Sequence, residues 1–277
     1  MTTTIDPEIR RLPVPTKPRR PRLLIGYAVI AALLLAAHAV AWEATDVSFG
    51  ALIDGWRGMA RFLDEAVPPD FSWAVLGPSL SAALVTLWIG LLGTTLSVPF
   101  ALGLALLAAR GTAPSPWLYQ GTRSLLSFLR AVPDVVFALI FVTAVGLGPF
   151  PGVLALLCHN VGVMGKLWAE AVEDADPGPP QALRSAGAGR LQVATHALLP
   201  CVTPQMVGLL LYRFDVNVRS SLVLGLVGAG GIGFLINQSI KLFRFDQMMT
   251  HIVVVLVLIV AVDQLSALVR RRLGSNS

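Results

Sequence analysis

Residues 79–109 read SLSAALVTLWIGLLGTTLSVPFALGLALLAA, thirty-one consecutive positions without a charged side chain. About 20 such residues suffice to cross the hydrocarbon core of a bilayer as an α-helix. The excess length has to be absorbed by tilt or by a bend, and Pro99 is the place for one. Working outward, the pattern recurs at Leu23–Trp42, Leu125–Val145, Val153–Ala169, Ala197–Leu226 and Met248–Leu268. The expectation is an all-α membrane protein of six transmembrane helices.

Composition agrees. Of 277 residues, 55% are hydrophobic and only 13% charged, and the mean hydropathy is +0.72. A soluble domain carries roughly a quarter charged residues, so a water-exposed surface is hard to build here. The net charge of +5 does not point to nucleic acid, because the basic residues sit at the ends of apolar segments. Arg10, Arg11, Lys17, Arg19, Arg20 and Arg22 lie in the proline-rich stretch 1–22, and Arg270, Arg271 and Arg272 follow the last apolar run. Basic residues collect on the cytoplasmic side of spanning helices. Both termini are therefore expected inside, with 1–22 a disordered basic tail and 273–277 a short one. A cleavable signal peptide is not expected, since 1–22 is too long and proline-rich for an n-region and the next apolar run too long for an h-region.

The segment 43–78 is then external. It carries six acids against Arg57 and Arg61, and its apolar residues Phe49, Leu52, Ile53, Trp56, Met59, Ala60 and Leu63 fall at helical spacing. This predicts an amphipathic helix lying on the membrane or on the protein. At the other end of the order, 110–124 is a short polar connection, 146–152 a tight external turn, Glu170–Thr195 cytoplasmic, and 228–245 an external or re-entrant segment.

Catalytic chemistry finds little support. Cys158 and Cys201 have no paired spacing, and His38, His159, His196 and His251 fall on separate segments without metal-ligand or triad-like spacing. No metal and no cofactor is expected. Gly228-Ala-Gly-Gly-Ile-Gly233 fits the dinucleotide fingerprint, but that pattern has meaning only inside a βαβ unit, and both flanks here are spanning segments. Gly228, Gly230, Gly231 and Gly233 read instead as close backbone packing and sharp turning at membrane depth. A gate and a passive re-entrant turn are both open.

Ionisable residues inside spans are costly and mark functional candidates. Arg213, Asn217 and Ser220 share one helix face, and Asp215 and Arg219 the opposite one. The first set is expected to line the route of an anionic substrate, and the second to form a neutralised i,i+4 ion pair. The competing reading gives both faces structural contacts. Lys166, His159 and Asn160 lie along one span, where Lys166 snorkels to the interface. Arg130 and Asp134, on either side of Pro133, mark the inner end of theirs.

Residues 176–187 read Asp-Pro-Gly-Pro-Pro-Gln-Ala-Leu-Arg-Ser-Ala-Gly, and Ala197-Leu-Leu-Pro200 follows. Pro179 and Pro180 suit a first helical turn, and Gly187 a left-handed stop. A helix of about two turns between them, exposed between two spans, makes a lever. Its spacing resembles the EAA loop of ATP-binding-cassette importer permeases, with Gln181, Ala182, Leu183, Gly187, Ala197, Leu199 and Pro200 in the motif positions. Gln181 stands where the family has an acid and Ala197 where it has isoleucine.

Further segments, Val145–Ala155, Gly165–Glu173, Tyr212–Arg219 and Leu224–Gly233, resemble the phosphonate-transport permease (PhnE-like) family over roughly 75–272. The resemblance implies a type I ABC importer permease fold over 79–272, with 173–200 as the coupling loop. It also implies a permease subunit for phosphonate, phosphite or phosphate. Gln181, Ala182, Leu183, Gly187 and Pro200 would dock on ATPase subunits inside, a solute-binding protein would dock outside, and a second permease copy would complete the pathway within the lipid. Nothing matches G-x-x-x-x-G-K-[ST], so ATP hydrolysis is expected on a separate chain. A secondary transporter or channel for a small anion would need no such lever, and an intramembrane hydrolase would need nearby catalytic partners.

Overall fold

The computed structural model describes residues 21–274. The basic tail falls outside them except at Pro21 and Arg22, as do residues 275–277. Contacts divide the chain at Met59/Ala60 into two units.

In the first unit, α1 (Pro21–Ala44) is a spanning helix whose described side chains are all exposed. It ends before α2 (Phe49–Asp54), capped by Ser48, whose Oγ accepts from Ala51 N at 3.2 Å. α3 (Trp56–Ala66) follows after Gly55 and runs across the boundary into the second unit. The amphipathic segment is thus two helices where the sequence suggested one, because the chain breaks helical pairing at Gly55.

The second unit contains α4 (Trp73–Ala108), α5 (Pro116–Ala131), α6 (Asp134–Val145), α7 (Pro149–Glu173), α8 (Gly178–Ser185), α9 (Arg190–Val193), α10 (Leu199–Leu226), α11 (Gly231–Lys241) and α12 (Phe245–Gly274). Among the described residues no strand occurs. Five helical stretches are long and apolar enough to cross a membrane, and the bent pair α5–α6 makes a sixth.

α4 is the spine. It begins six residues earlier than expected, at Trp73, and its 36 residues extend about 54 Å at 1.5 Å per residue. Ser79, Ala83, Thr86, Gly90, Gly93, Ser97, Ala101, Ala105 and Ala108 form a buried stripe of small residues along it. Lipid tails are as apolar as leucine, so spanning helices associate through close packing, which small side chains allow. A Cβ at Gly93 would sit 2.6 Å from Leu156 Cβ on α7. α4 and α7 form the most extensive helix pair.

Three boundaries depart from the sequence reading for identifiable reasons. The expected single span Leu125–Val145 is bent by 85° between α5 and α6. Pro133 lacks an N–H, and Val132 before it is extended at φ −79°, ψ 121°. The external turn shrinks to 146–148, since Pro149 and Pro151 are accommodated in the first turn of α7. The span expected from Ala197 starts at Arg190 instead, because α9 runs into α10 through a π-turn at Ala194–Leu198. Pro200 withholds its N–H there, and its ring clashes with the preceding turn, a site where such wide turns occur. The 228–245 segment holds α11, whose 11 residues are too few to span.

Candidate translocation pathway and coupling surface

α10 brings Arg213 fourteen residues past Leu199, about 21 Å along the helix and so near its middle. The side chain is 9% exposed. Its Nε donates to Asn160 Oδ1 on α7 at 2.8 Å, and one terminal nitrogen donates to Asn217 Oδ1 at 3.2 Å. Asn217 Nδ2 donates to Thr94 Oγ1 on α4 at 2.7 Å, and Asn160 Nδ2 to Ser97 Oγ at 2.6 Å. Ser221 Oγ donates to the Thr86 carbonyl at 3.0 Å. A polar network therefore ties α4, α7 and α10 together in the core of the unit. Arg213 takes part in none of the salt bridges among the described residues, so its charge is held by neutral amides.

Arg213 and Asn217 are brought together as the helix-face argument expects, and Ser220, half-buried, stays outside the network. On the opposite face, Arg219 donates to Asp215 Oδ2 at 2.6 Å and lies 3.8 Å from Asp263 on α12. Asp215 is buried, and its Oδ1 has no hydrogen-bond partner among the described residues. Sequence reasoning missed Asn160, Thr94 and Ser97 as the groups that hold Arg213. The readable signal was the recurrence of hydroxyls at helical spacing along an otherwise apolar α4. His159, one residue from Asn160, donates from Nδ1 to the Val132 carbonyl at 3.1 Å. That carbonyl lost its helical donor at the Pro133 break, so His159 has a structural task.

The glycine string forms the turn from α10 into α11. Gly228, Gly230 and Gly231 have φ of +99°, +75° and +70°, a region that side chains rarely tolerate. A Cβ at Gly231 would strike Thr86, and one at Gly233 the Leu222 carbonyl. Thr86 Oγ1 accepts from Ile232 N at 2.9 Å, and Gly148 N donates to the Gly228 carbonyl at 3.0 Å. The turn is therefore clasped by α4 and by the α6–α7 connection.

α8 is exposed except at Pro180, which is buried, and Leu183, which is half-buried. Asp176 Oδ1 accepts from Gly178 N at 2.9 Å at its start. At its end Gly187, with φ +86°, donates to Arg184 O and Ala188 N donates to Leu183 O, both at 3.0 Å. These two bonds are a Schellman closure. Gln181 and Ala182 are exposed, Leu183 is half-buried, and Pro200 lies exposed in the first turn of α10. Beneath the loop, Glu173 at the end of α7 accepts from Arg123 at 3.2 Å and from Arg110 N at 2.9 Å. Tyr119 accepts from Arg110 Nε at 3.2 Å. That bond, with Glu173 nearby, raises the Arg110 pKa above its ordinary value. α5, α7 and the end of α4 are thereby fastened where the lever is rooted. No group of residues suited to hold a metal occurs among the described residues.

The second unit thus pairs an exposed, capped α8 between spans with a buried arginine at mid-span that makes no salt bridge among the described residues. Residues 101–275 match the family described as binding-protein-dependent transport system inner membrane component, and the chain belongs to that family. It is 42% identical over 224 residues to the phosphite transport system permease protein PtxC of Stutzerimonas stutzeri, covering 79% of each chain. It is 40% identical over 231 residues to the phosphate-import permease protein PhnE of Mycolicibacterium smegmatis, covering 83% of this chain and 43% of that one. In fold it is similar to a crystal structure of an amino acid ABC transporter (TM-score 0.60, 21% identity, 73% of this chain and 98% of that one). It is also similar to the inward-facing MetNI methionine ABC transporter (TM-score 0.59, 20% identity, 72% and 96%).

Proposed function

We propose that this chain is the permease subunit of an ATP-driven importer of a phosphorus oxyanion, with phosphite, phosphate and phosphonate as the candidate solutes. The observation that carries the substrate class is its identity of 40% or more to permeases named for phosphite and phosphate transport. The buried Arg213, which makes no salt bridge among the described residues, supports an anion.

Two copies would pair around one pathway, with ATPase subunits on the α8 side and a solute-binding protein on the opposite side. Both termini would then be cytoplasmic, in line with the arginine clusters at the two ends. ATPase closure would push α8 through Gln181, Ala182 and Leu183, with Gly187 and Pro200 fixing the two ends of the lever. Arg213 would attract the anion at mid-membrane, with Asn217 beside it and Ser220 further along the same face. Asp215 and Arg219 would remain a neutral pair away from the route. The turn at Gly228, Gly230, Gly231 and Gly233 would act as the gate, since it joins α10 to α11 through backbone that side chains rarely tolerate.

The test is uptake by vesicles containing the permease, its ATPase and its binding protein. Uptake of radiolabelled phosphite or phosphate should be blocked by unlabelled phosphorus oxyanions and unaffected by amino acids. Competition by methionine, with none from phosphorus oxyanions, would sink the substrate assignment.

A further inference from the structure

Far from Arg213, α4, α11 and α12 flank a half-open cavity of 330 Å³, with Gln238 and Arg244 at its exposed side. The polar groups lining it are Gln238 and Ser239 at the end of α11, together with Arg244, Gln247 and His251. The last three stand at i, i+3 and i+7, one stripe along the start of α12. From Ile252 to Val262 this helix is wholly apolar, so a polar stripe just before it needs a reason. No acidic side chain lines the cavity, and Arg244 takes part in none of the salt bridges among the described residues. Its place is set by the turn before it: Phe243 adopts φ +54°, and Arg244 N donates to the Ser239 carbonyl at 2.9 Å.

His251 adds a directional feature. It is 5% exposed, and its Nδ1 lies 2.7 Å from the buried Ser79 Oγ. Ser79 Oγ also donates to the Val75 carbonyl at 2.6 Å. A hydroxyl has one proton, so Ser79 accepts from Nδ1–H and leaves Nε2 as the free acceptor of the ring. Beside it stand a guanidinium fork, two amides and the hydroxyl of Ser239. The set therefore pairs several donors with one acceptor.

We propose that this cavity is an acceptor site for a singly protonated tetrahedral phosphorus oxyanion. The P–O⁻ oxygens accept from Arg244 and the glutamine amides, and the P–OH donates to Nε2 of His251. Resting on the orientation given under Proposed function, the cavity lies at the outer end of α4 and α12. It would receive the anion released by the binding protein before it reaches Arg213. Sulfate has the same shape but no proton at neutral pH, so it cannot satisfy Nε2.

The experiment needs neither transport nor a partner. Phosphite is titrated into the purified permease–ATPase complex, without binding protein, and ³¹P line broadening is read in phospholipid nanodiscs and in maltoside micelles. Wild type should broaden the phosphite line in both media. Arg244→Gln should weaken the interaction about tenfold, the loss of one charge-assisted hydrogen bond. Lys241→Gln, which removes a neighbouring charge that does not line the cavity, should leave it intact. Equal broadening by Arg244→Gln and wild type would overturn the site. Sulfate competing as well as phosphate would overturn the role of His251. Broadening in micelles but not in phospholipid nanodiscs would assign the cavity to a lipid phosphate headgroup, against a solute site. Because binding is read directly, an absence of uptake would count against the transport reading and leave this site standing.

Discussion

The lever loop and the mid-span network are built on opposite principles. α8 is held almost entirely by its own backbone: one Asp176 contact at the start, two Schellman bonds at the end, and a single buried side chain, Pro180. Arg213 is held by side chains from other helices, and each link of its network crosses between elements or fixes one that does. A locally closed helix keeps its shape while a partner grips and moves it. A cross-linked charge keeps its place only while α4, α7 and α10 keep theirs. On the proposed function, force applied at α8 would therefore reach the cation through the helices that root both, α7 and α10.

The largest effect expected from breaking this comparison is at Arg213. Arg213→Ala leaves Asn160 and Asn217 without their donor, and two hydrogen bonds to a charged group contribute about 3 kcal/mol or more. Uptake should fall about a hundredfold in protein that still inserts, and Arg213→Lys, which keeps the charge, should recover part of it. Unchanged uptake by the alanine variant would remove Arg213 from the pathway. Next is Gly187→Ala, which places a side chain at φ +86° at a cost of about 1–2 kcal/mol. ATP hydrolysis should continue while uptake per ATP drops about tenfold, and equal coupling ratios would show that the shape of α8 is not what transmits force.

Smaller still is Asp215→Asn. Arg219 is half-exposed, so thermal stability in nanodiscs should change by less than about 1 kcal/mol. A loss several times larger would give that face a role beyond a neutral pair. Smallest is Gln181→Glu, which restores the acid of the resembled motif on an exposed helix. ATPase affinity should rise no more than a few-fold, measured by titrating the ATPase onto nanodisc-held permease, and a decrease would place Gln181 away from the contact.

The spans were legible because a bilayer demands unbroken apolar length, and the lever because Pro179, Pro180 and Gly187 each have one good helical position. The break at Pro133 was less so. Periodicity sees the apolar residues of 125–145 as one run, whereas the missing N–H of Pro133 and the extended Val132 decide its direction. The π-turn ahead of Pro200 escaped for the same kind of reason. At the site, helix geometry alone placed Arg213 with Asn217 and apart from Asp215 and Arg219. The hydroxyls along α4 were visible, but their partners were not: Asn160 meets Arg213 from 53 positions away, Ser97 meets Asn160 from 63 and Thr94 meets Asn217 from 123, and no spacing rule links separate helices. The Ser79–His251 contact, 172 positions apart, was hidden likewise.

The central claim is that passage through this chain is driven from α8 by ATP. Its most direct test places cysteines at Ala182 and in the facing groove of the ATPase, and follows phosphite uptake in vesicles before and after cross-linking and reduction. Uptake should require ATP, stop when the cross-link locks the two subunits, and return on reduction. Uptake that proceeds without ATP on an ion gradient, or continues through the locked complex, would contradict it.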